Sequence, residues 1–235
     1  MSDELNTLGQ SIGPALPAWT KRPLPPTTPL LGRYCRLEMF DASRHAAELY
    51  SAFSLKSSGE DWTYLPSGPF PTQSDYFDYM QKASLKTDPL HHAIIVDGKP
   101  VGSAALMRID PDNGVIEIGH ISYSPLLQRT RAGTEAMYLL MRRAFDELGY
   151  RRYEWKCDSL NAPSRKAAER YGFKYEGTFR QAVVYKGRSR DTAWFSIIDR
   201  EWPDVRKAFE QWLSPENFDS AGNQIRSLST IREGL

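Results

Sequence analysis

The sequence predicts a mixed α/β domain of the α+β type, a central sheet flanked by helices, and three observations carry that expectation. Two apolar runs, His91–Val96 and Val101–Ile109, flank Asp97-Gly98, the strongest short hairpin signal. From Gly133 to Leu148, Met137, Leu140, Met141, Ala144, Phe145 and Leu148 recur with helical spacing, while Glu135, Arg142, Arg143, Asp146 and Glu147 take the other side. Further strand-like and helix-like runs alternate to about residue 213, without internal repeat.

Residues 1–30 hold Pro14, Pro17, Pro23, Pro25, Pro26 and Pro29, which predicts an extended arm wrapped over the domain. The domain itself spans residues 31–213. Arg33–Phe40 reads as a first strand, and Asp41 or Ser43 caps the helix after it. Gly59–Thr72 is a loop carrying Trp62, Tyr64 and Phe70, followed by a helix from about Gln73 to Ser84. After the hairpin, Asp110-Pro-Asp-Asn-Gly114 turns into a strand, Val115–Tyr123, which completes an antiparallel meander. Gly149 stops the amphipathic helix. Arg152–Cys157 is a strand, Asn161 caps a helix over Ala162–Tyr171, and Lys174–Arg180 is a strand again. Lys186-Gly-Arg188 turns a last hairpin with arms Gln181–Tyr185 and Asp191–Ile198. Glu201–Leu213 is the terminal helix, and residues 214–235 read as a polar tail.

A chain of 235 residues buries a sizeable core without disulfide or metal staples. Its 30 Lys and Arg against 29 Asp and Glu leave +1, so no global field recruits nucleic acid or an anionic membrane, and neither is expected as a partner. Cys35 and Cys157 lie far apart in strand-like runs, without metal-ligand spacing; two buried reduced thiols and no metal are expected. The first residues lack the apolar run of a secretory signal, and no stretch approaches the roughly 18 apolar residues that span a bilayer. A cytoplasmic monomer or homodimer is expected.

The segment Tyr123–Ala136 carries the clearest chemistry. A strand ends near Ser124-Pro125, a basic loop follows, and a helix opens near Gly133. The first N–H groups of a helix lack internal acceptors and sit at the positive end of its dipole, so such a junction can cradle a pyrophosphate. Arg129 and Arg131 add two cations; alone, they also suit a solvated turn.

Here the sequence resembles the GCN5-related N-acetyltransferase (GNAT) family, in particular its ribosomal-protein N-terminal acetyltransferase branch. The family's pyrophosphate loop reads Q/R-x-x-G-x-G/A; Gln128 and Gly133 match it, and Arg131 stands where its first glycine would be. A second match is Asn161-Ala-Pro-Ser164, Ala167-Ala168, Tyr171-Gly-Phe173 and Glu176-Gly177. The resemblance implies acetyl-CoA as co-substrate and an amine as acceptor. It also implies a sheet splayed between its fourth and fifth strands, Val115–Tyr123 and Arg152–Cys157. Pantetheine amides would then bond the backbone near Ile121, Ser122 and Tyr123. Gln128, Arg129, Thr130, Arg131, Ala132, Gly133 and Thr134 would hold the pyrophosphate, with Asn161 beside the coenzyme.

Acyl transfer to an amine needs a neutral nucleophile and a proton for the departing thiolate. The tyrosine many relatives use as acid falls at Ala168, and Tyr171 reads as structural. In the favoured branch a serine three positions after the asparagine is the proposed donor, which is Ser164; a solvated serine of the first helical turn is the alternative. The glutamate proposed as base in that branch falls near Val183, so the base must come from elsewhere. Glu117 is the first candidate and His120 the second. Their odd separation puts them on opposite faces of a regular strand, so at most one faces the acceptor. His91 and His92 read as exposed or structural. In the resembled branch the region of Trp62, Tyr64, Pro69 and Phe70 lines the acceptor entrance; an aromatic lid packed on the core is the alternative. A protein N-terminal α-amine is the expected acceptor; a small-molecule amine and a non-catalytic acyl-CoA-binding module are the alternatives.

Overall fold

The computed structural model of the chain describes residues 4–56 and 58–235. A small hairpin, β1 (Glu4–Leu5) and β2 (Ser11–Ile12), opens the chain. The proline-rich stretch after it lies along the domain. Trp19 Nε1 donates to the Asp112 carbonyl at 2.8 Å, the Tyr150 hydroxyl donates to the Pro23 carbonyl at 3.1 Å, and the buried Arg143 donates to the Thr28 carbonyl at 2.7 Å.

The remaining strands build one sheet: β3 (Leu30–Leu31), β4 (Arg36–Met39), β5 (Leu90–Val96), β6 (Lys99–Asp110), β7 (Val115–Tyr123), β8 (Arg152–Asp158), β9 (Lys174–Tyr185) and β10 (Arg188–Ile198). Their order across it is β3-β4-β5-β6-β7-β8-β10-β9. Every neighbouring pair is antiparallel except β7 and β8, which are joined by a crossover helix, as a parallel pair requires.

Among the described residues, six helices flank the sheet: α1 (Ala42–Phe53), α2 (Gln73–Ser84), α3 (Arg131–Arg142), α4 (Ala162–Arg170), α5 (Trp202–Leu213) and α6 (Leu228–Glu233). Asp41 caps α1 by accepting from the Ser43 and Arg44 N–H groups. Thr72 and Asp75 form a capping box at α2. Helix α3 runs on through a π turn, Arg143–Glu147, and Gly149 takes φ +69° to end it. One core lies under α3 and α5, with Met137, Leu140, Phe145, Tyr153, Phe195 and Phe209 buried in it. The other packs α1 and α2, through Leu49, Phe53, Tyr76 and Met80, onto Ala93 and Ile95.

Three expectations need correction. Lys174–Tyr185 is a single strand, although the sequence reads as two. Its break falls where Gln181, at φ +50°, donates its N–H to Asp191 Oδ1 (2.7 Å) and shifts the register without ending the ladder. Residues 214–235 are not a free tail: Leu228 and Ile231 of α6 are buried, and Asn217 Nδ2 donates to the carbonyls of Trp212 and Arg226. A few apolar anchors among many polar residues escape a composition-based reading. Strand β7 also loses its alternation. Between the pairs Ser103–Ser122 and Ala105–Gly119 it carries one residue more than β6, and His120 within that bulge takes φ +49°.

Candidate active site

Strands β7 and β8 pair only from Val115–Ile118 against Arg152–Trp155, and beyond that they part. The edge of Gly119–Tyr123 that faces β8 has no strand partner. A cleft of about 1480 Å³ opens there, with Ile121, Ser122 and Tyr123 half-buried on its wall. A row of unpaired backbone groups beside such a gap can bond the amides of an extended ligand.

The junction into α3 forms one end of the cleft. Gln128 Nε2 donates to the Tyr123 carbonyl (2.8 Å), and Thr130 caps α3 by accepting from Gly133 N at its Oγ1 (3.0 Å). That cap occupies one N–H group expected to be free. Those of Arg129, Arg131 and Ala132 have no acceptor among the described residues. The loop's left-handed residue is Arg129, at φ +61°, whereas Arg131 opens the helix in ordinary helical backbone. Gly133 serves packing: a Cβ there would meet the Leu127 carbonyl at 2.8 Å and the Tyr123 ring at 2.9 Å. The Tyr123 hydroxyl donates to the Gly133 carbonyl (2.7 Å). The Ala132 side chain is buried in the core, so only its backbone N–H is available. Thr134, also buried, accepts from Arg170 Nη1 at 3.2 Å.

This cradle, on a parallel pair that splays at a crossover helix, coincides with a family match. The acetyltransferase (GNAT) domain family matches residues 36–174. The chain belongs to the GNAT acetyltransferases. A solved GCN5-related N-acetyltransferase from Brucella melitensis is 51% identical and superposes with a TM-score of 0.91, over 93% of this chain and 100% of that one. The uncharacterized N-acetyltransferase p20 of Bacillus licheniformis is 31% identical over 155 residues, 62% of this chain and 84% of its own. The proposed ribosomal N-acetyltransferase YdaF of Bacillus subtilis is 30% identical over 109 residues, 46% of this chain and 59% of its own. The chain is thus an N-acetyltransferase, and acetyl-CoA is the donor general to GNAT enzymes.

The residues fit that donor at two points. The unpaired N–H groups at the start of α3, with Arg129 and Arg131, suit a pyrophosphate. The free β7 edge suits pantetheine amides. Beside it, Asn161 Oδ1 caps α4 by accepting from Ser164 N (3.1 Å). Ser164 Oγ accepts from Trp155 Nε1 at 2.9 Å, which leaves its O–H to donate, with the Cys157 thiol as its neighbour. Ala168 is fully buried, and Tyr171 is packed between Trp155 and Phe209.

Further along this GNAT cleft stand Glu117 and His120, and both line it. The bulge at His120 overturns the expectation that only one could face it. Glu117 is 4% exposed; burial raises its pKa, and the nearby charges of Lys156 and Arg108 oppose the rise. Lys156 Nζ lies 2.9 Å and Arg108 Nε 3.2 Å from its Oε2, close as ion pairs but off the axis of a proper hydrogen bond. Lys156 also pairs with Glu154 at 2.7 Å. Burial, and then the charge of Lys86, lower the pKa of His120, which leaves it neutral at pH 7. Its ring lies 5.1 Å from that of His91. His91 and His92 are not exposed; they are 4% and 1% accessible. Cys35 and Cys157 are buried and free, and the described residues hold no cluster of His, Cys, Asp or Glu suited to a metal.

The aromatic loop packs on the core and also borders the cleft. Trp62 and Phe70 pack edge-on in the α1–α2 core, and Trp62 and Tyr64 also line the cleft. Val183, at the place of the branch's glutamate, lines the cleft and offers no carboxylate. Sequence reasoning missed Lys156, Asp158, Arg190, Thr192 and Trp194, which complete the cleft wall opposite β7. The alternation of β8 and β10 marks which residues share a face, but not that a splay leaves that face open.

Proposed function

We propose that this N-acetyltransferase acts on the α-amine of a protein N-terminus, with Ser164 as proton donor and His120 as proton acceptor. The supporting observation is that both line one cleft, Ser164 from α4 and His120 from the β7 bulge. Acetyl-CoA, when bound, supplies the thioester. Ser164, its oxygen already engaged by Trp155, gives its proton to the sulfur as the C–S bond breaks and regains one from solvent, which balances the proton that the amine sheds onto His120. His120, neutral and half-buried, takes the proton that the attacking amine sheds. Glu117, although first expected as base, is engaged by two cations, Lys156 and Arg108, which oppose the rise that burial gives its pKa, whereas His120 carries no ion pair among the described residues. The role of Glu117 here is to fix Lys156 and the field at the cleft floor.

The protein acceptor is supported by the relation to YdaF and by the breadth of the cleft, which reaches the aromatic loop on one side and the β9–β10 ribbon on the other. The test measures coenzyme A release with peptides starting in Ala, Ser or Met, beside spermidine and an aminoglycoside. Faster turnover of any peptide than of the small amines supports the reading. A small amine that outpaces every peptide refutes it.

A further inference from the structure

Alternate residues of β10 present an unusual wall to the acceptor half of the cleft. Trp194 Nε1, Thr192 Oγ1 and Arg190 Nε are buried polar atoms without a hydrogen-bond partner, and all three residues line the cleft. Thr192 itself is 5% exposed. Same-face residues on a strand stand about 7 Å apart, so the three form a row rather than a point. Leaving such a group unpaired costs about 1–3 kcal/mol, and folded proteins retain few. Three in a row beside a reaction site indicate groups that a ligand satisfies.

The chemistry of the row selects the ligand. An indole N–H and an arginine Nε–H only donate, so the complement must bring acceptor oxygens. The local charge agrees. Lys156 is paired with Glu117 and Glu154, and Arg108 with Glu117. Arg190 has no carboxylate within ion-pair distance among the described residues. Asp158, beside Thr192 in the β8–β10 register, is engaged by the Tyr185 hydroxyl at 2.9 Å. A polyamine would meet the donors of the row and the Arg190 cation, with only Asp158, its two oxygens already accepting from the Tyr185 hydroxyl and the Leu160 N–H, to pair with it. An amine flanked by carbonyl or carboxylate oxygens would satisfy both.

We propose that Arg190, Thr192 and Trp194 form the acceptor-recognition strip of this enzyme, and that they select an α-aminoacyl group by its oxygens. The proposal rests on the acyl-transfer reading of the cleft and narrows its acceptor. A peptide N-terminus and a free amino acid share this chemistry. The row's length favours a peptide, whose alternate carbonyls, on one side of an extended chain, also repeat at about 7 Å.

The test compares an alanine tetrapeptide amide, free alanine and spermidine as acceptors for the parent, Thr192→Val, Trp194→Phe and Arg190→Gln. Coenzyme A affinity is measured separately by calorimetry. The expected result is that the parent prefers an oxygen-bearing acceptor to spermidine. Thr192→Val and Trp194→Phe then raise its KM about tenfold, the scale of one lost buried hydrogen bond, with coenzyme affinity unchanged. For a peptide the three substitutions cost about equally; for free alanine all three still raise KM, and the largest loss falls at Arg190→Gln, because the guanidinium pairs with the carboxylate. An unchanged KM in Thr192→Val and Trp194→Phe, or spermidine as the best acceptor, overturns the proposal. So does a coenzyme-loaded parent that neither acetylates nor binds the tetrapeptide or alanine. A parent that binds no coenzyme A at all defeats the acyl-transfer reading instead, and tetrapeptide binding still decides the strip.

Discussion

The guanidinium of Arg131 lies 3.7 Å from the centre of the Phe218 ring, which ties the start of α3 to the C-terminal segment. Arg131 stands where the family's loop has a glycine, yet its backbone is helical and no strain attends the exchange. Its side chain is directed to the segment that holds Phe218 and Gly222, both on the rim of the cleft. An arginine face is free to stack while its N–H edge meets a phosphate.

Arg131→Gly is therefore expected to keep coenzyme A affinity within about tenfold, roughly 1.4 kcal/mol. Arg131→Glu is expected to weaken it distinctly more, and less so at high salt. Phe218→Ala removes the platform and lowers affinity while leaving the charge in place. Calorimetry at two salt concentrations measures all three. Equal affinity of the parent and the Arg131→Glu variant at low salt would show that Arg131 does not meet the coenzyme.

Ser164 and Trp155 make the second prediction. Ser164→Ala is expected to lower kcat about tenfold to a hundredfold and leave coenzyme affinity nearly unchanged, the mark of a group acting in the transition state. Trp155→Phe removes the N–H that engages Ser164 Oγ at 2.9 Å, and a smaller loss in kcat is expected because the serine keeps its proton but not its orientation. Single-turnover rates with saturating acetyl-CoA measure both. A Ser164→Ala enzyme as fast as the parent in the chemical step would remove the serine from the mechanism.

How much of this was legible in the sequence depends on the length scale of the signal. Asp97-Gly98, Thr72 with Asp75, and Asn161 act within a few residues, and their hairpin and caps form where the pattern puts them. The splay of β7 from β8 was legible through the family resemblance. The β7 bulge was not, because nothing in Gly119-His120-Ile121 marks a left-handed histidine. That bulge decides which side chains reach the cleft. The contact of Arg131 with Phe218 joins residues far apart in the chain, and a single sequence carries no trace of such a pair. The polar row on β10 was hidden for the same reason: whether a strand face is covered depends on its neighbours.

His120 and Glu117 separate by pH and by stability. With His120 as proton acceptor, the rate of the chemical step is expected to fall on acidification with a midpoint below 6.5, because burial holds the histidine pKa down and protonation removes the base. His120→Asn keeps a residue tolerant of φ +49° and is expected to abolish that limb. Glu117→Gln is expected to retain the limb and to lose less than the roughly 3 kcal/mol of a fully broken buried pair, since Lys156 keeps Glu154 at 2.7 Å and burial already disfavours the Glu117 charge. If Glu117→Gln loses the acid limb and His120→Asn keeps it, the assignments exchange.

All four histidines have pKa values lowered by burial, and this sets how the fold responds to acid. His91 is held down to about 3 and His92 to about 4, against an ordinary value of 6.5. Arg143 adds to the burial of His92; His120, His92 and Lys86 add to that of His91. A group whose folded pKa is depressed binds its proton first in the unfolded chain. Above pH 6.5 both states are neutral and the full stability is present. As pH falls below 6.5 the unfolded chain takes up protons that the folded one refuses, and stability is lost until the folded pKa is passed. At pH 5 a histidine still neutral in the fold corresponds to a loss of about 2 kcal/mol. His92, 1% exposed, offers the cleanest measurement. Denaturant melts of the parent at pH 7 and pH 5 are expected to differ by several kcal/mol. His92→Leu, which has nothing to titrate, is expected to shrink that difference by about 2 kcal/mol, whatever it costs at pH 7. A difference between the two pH values that is the same in parent and variant would mean that His92 is already charged in the fold, or that the unfolded chain does not release it.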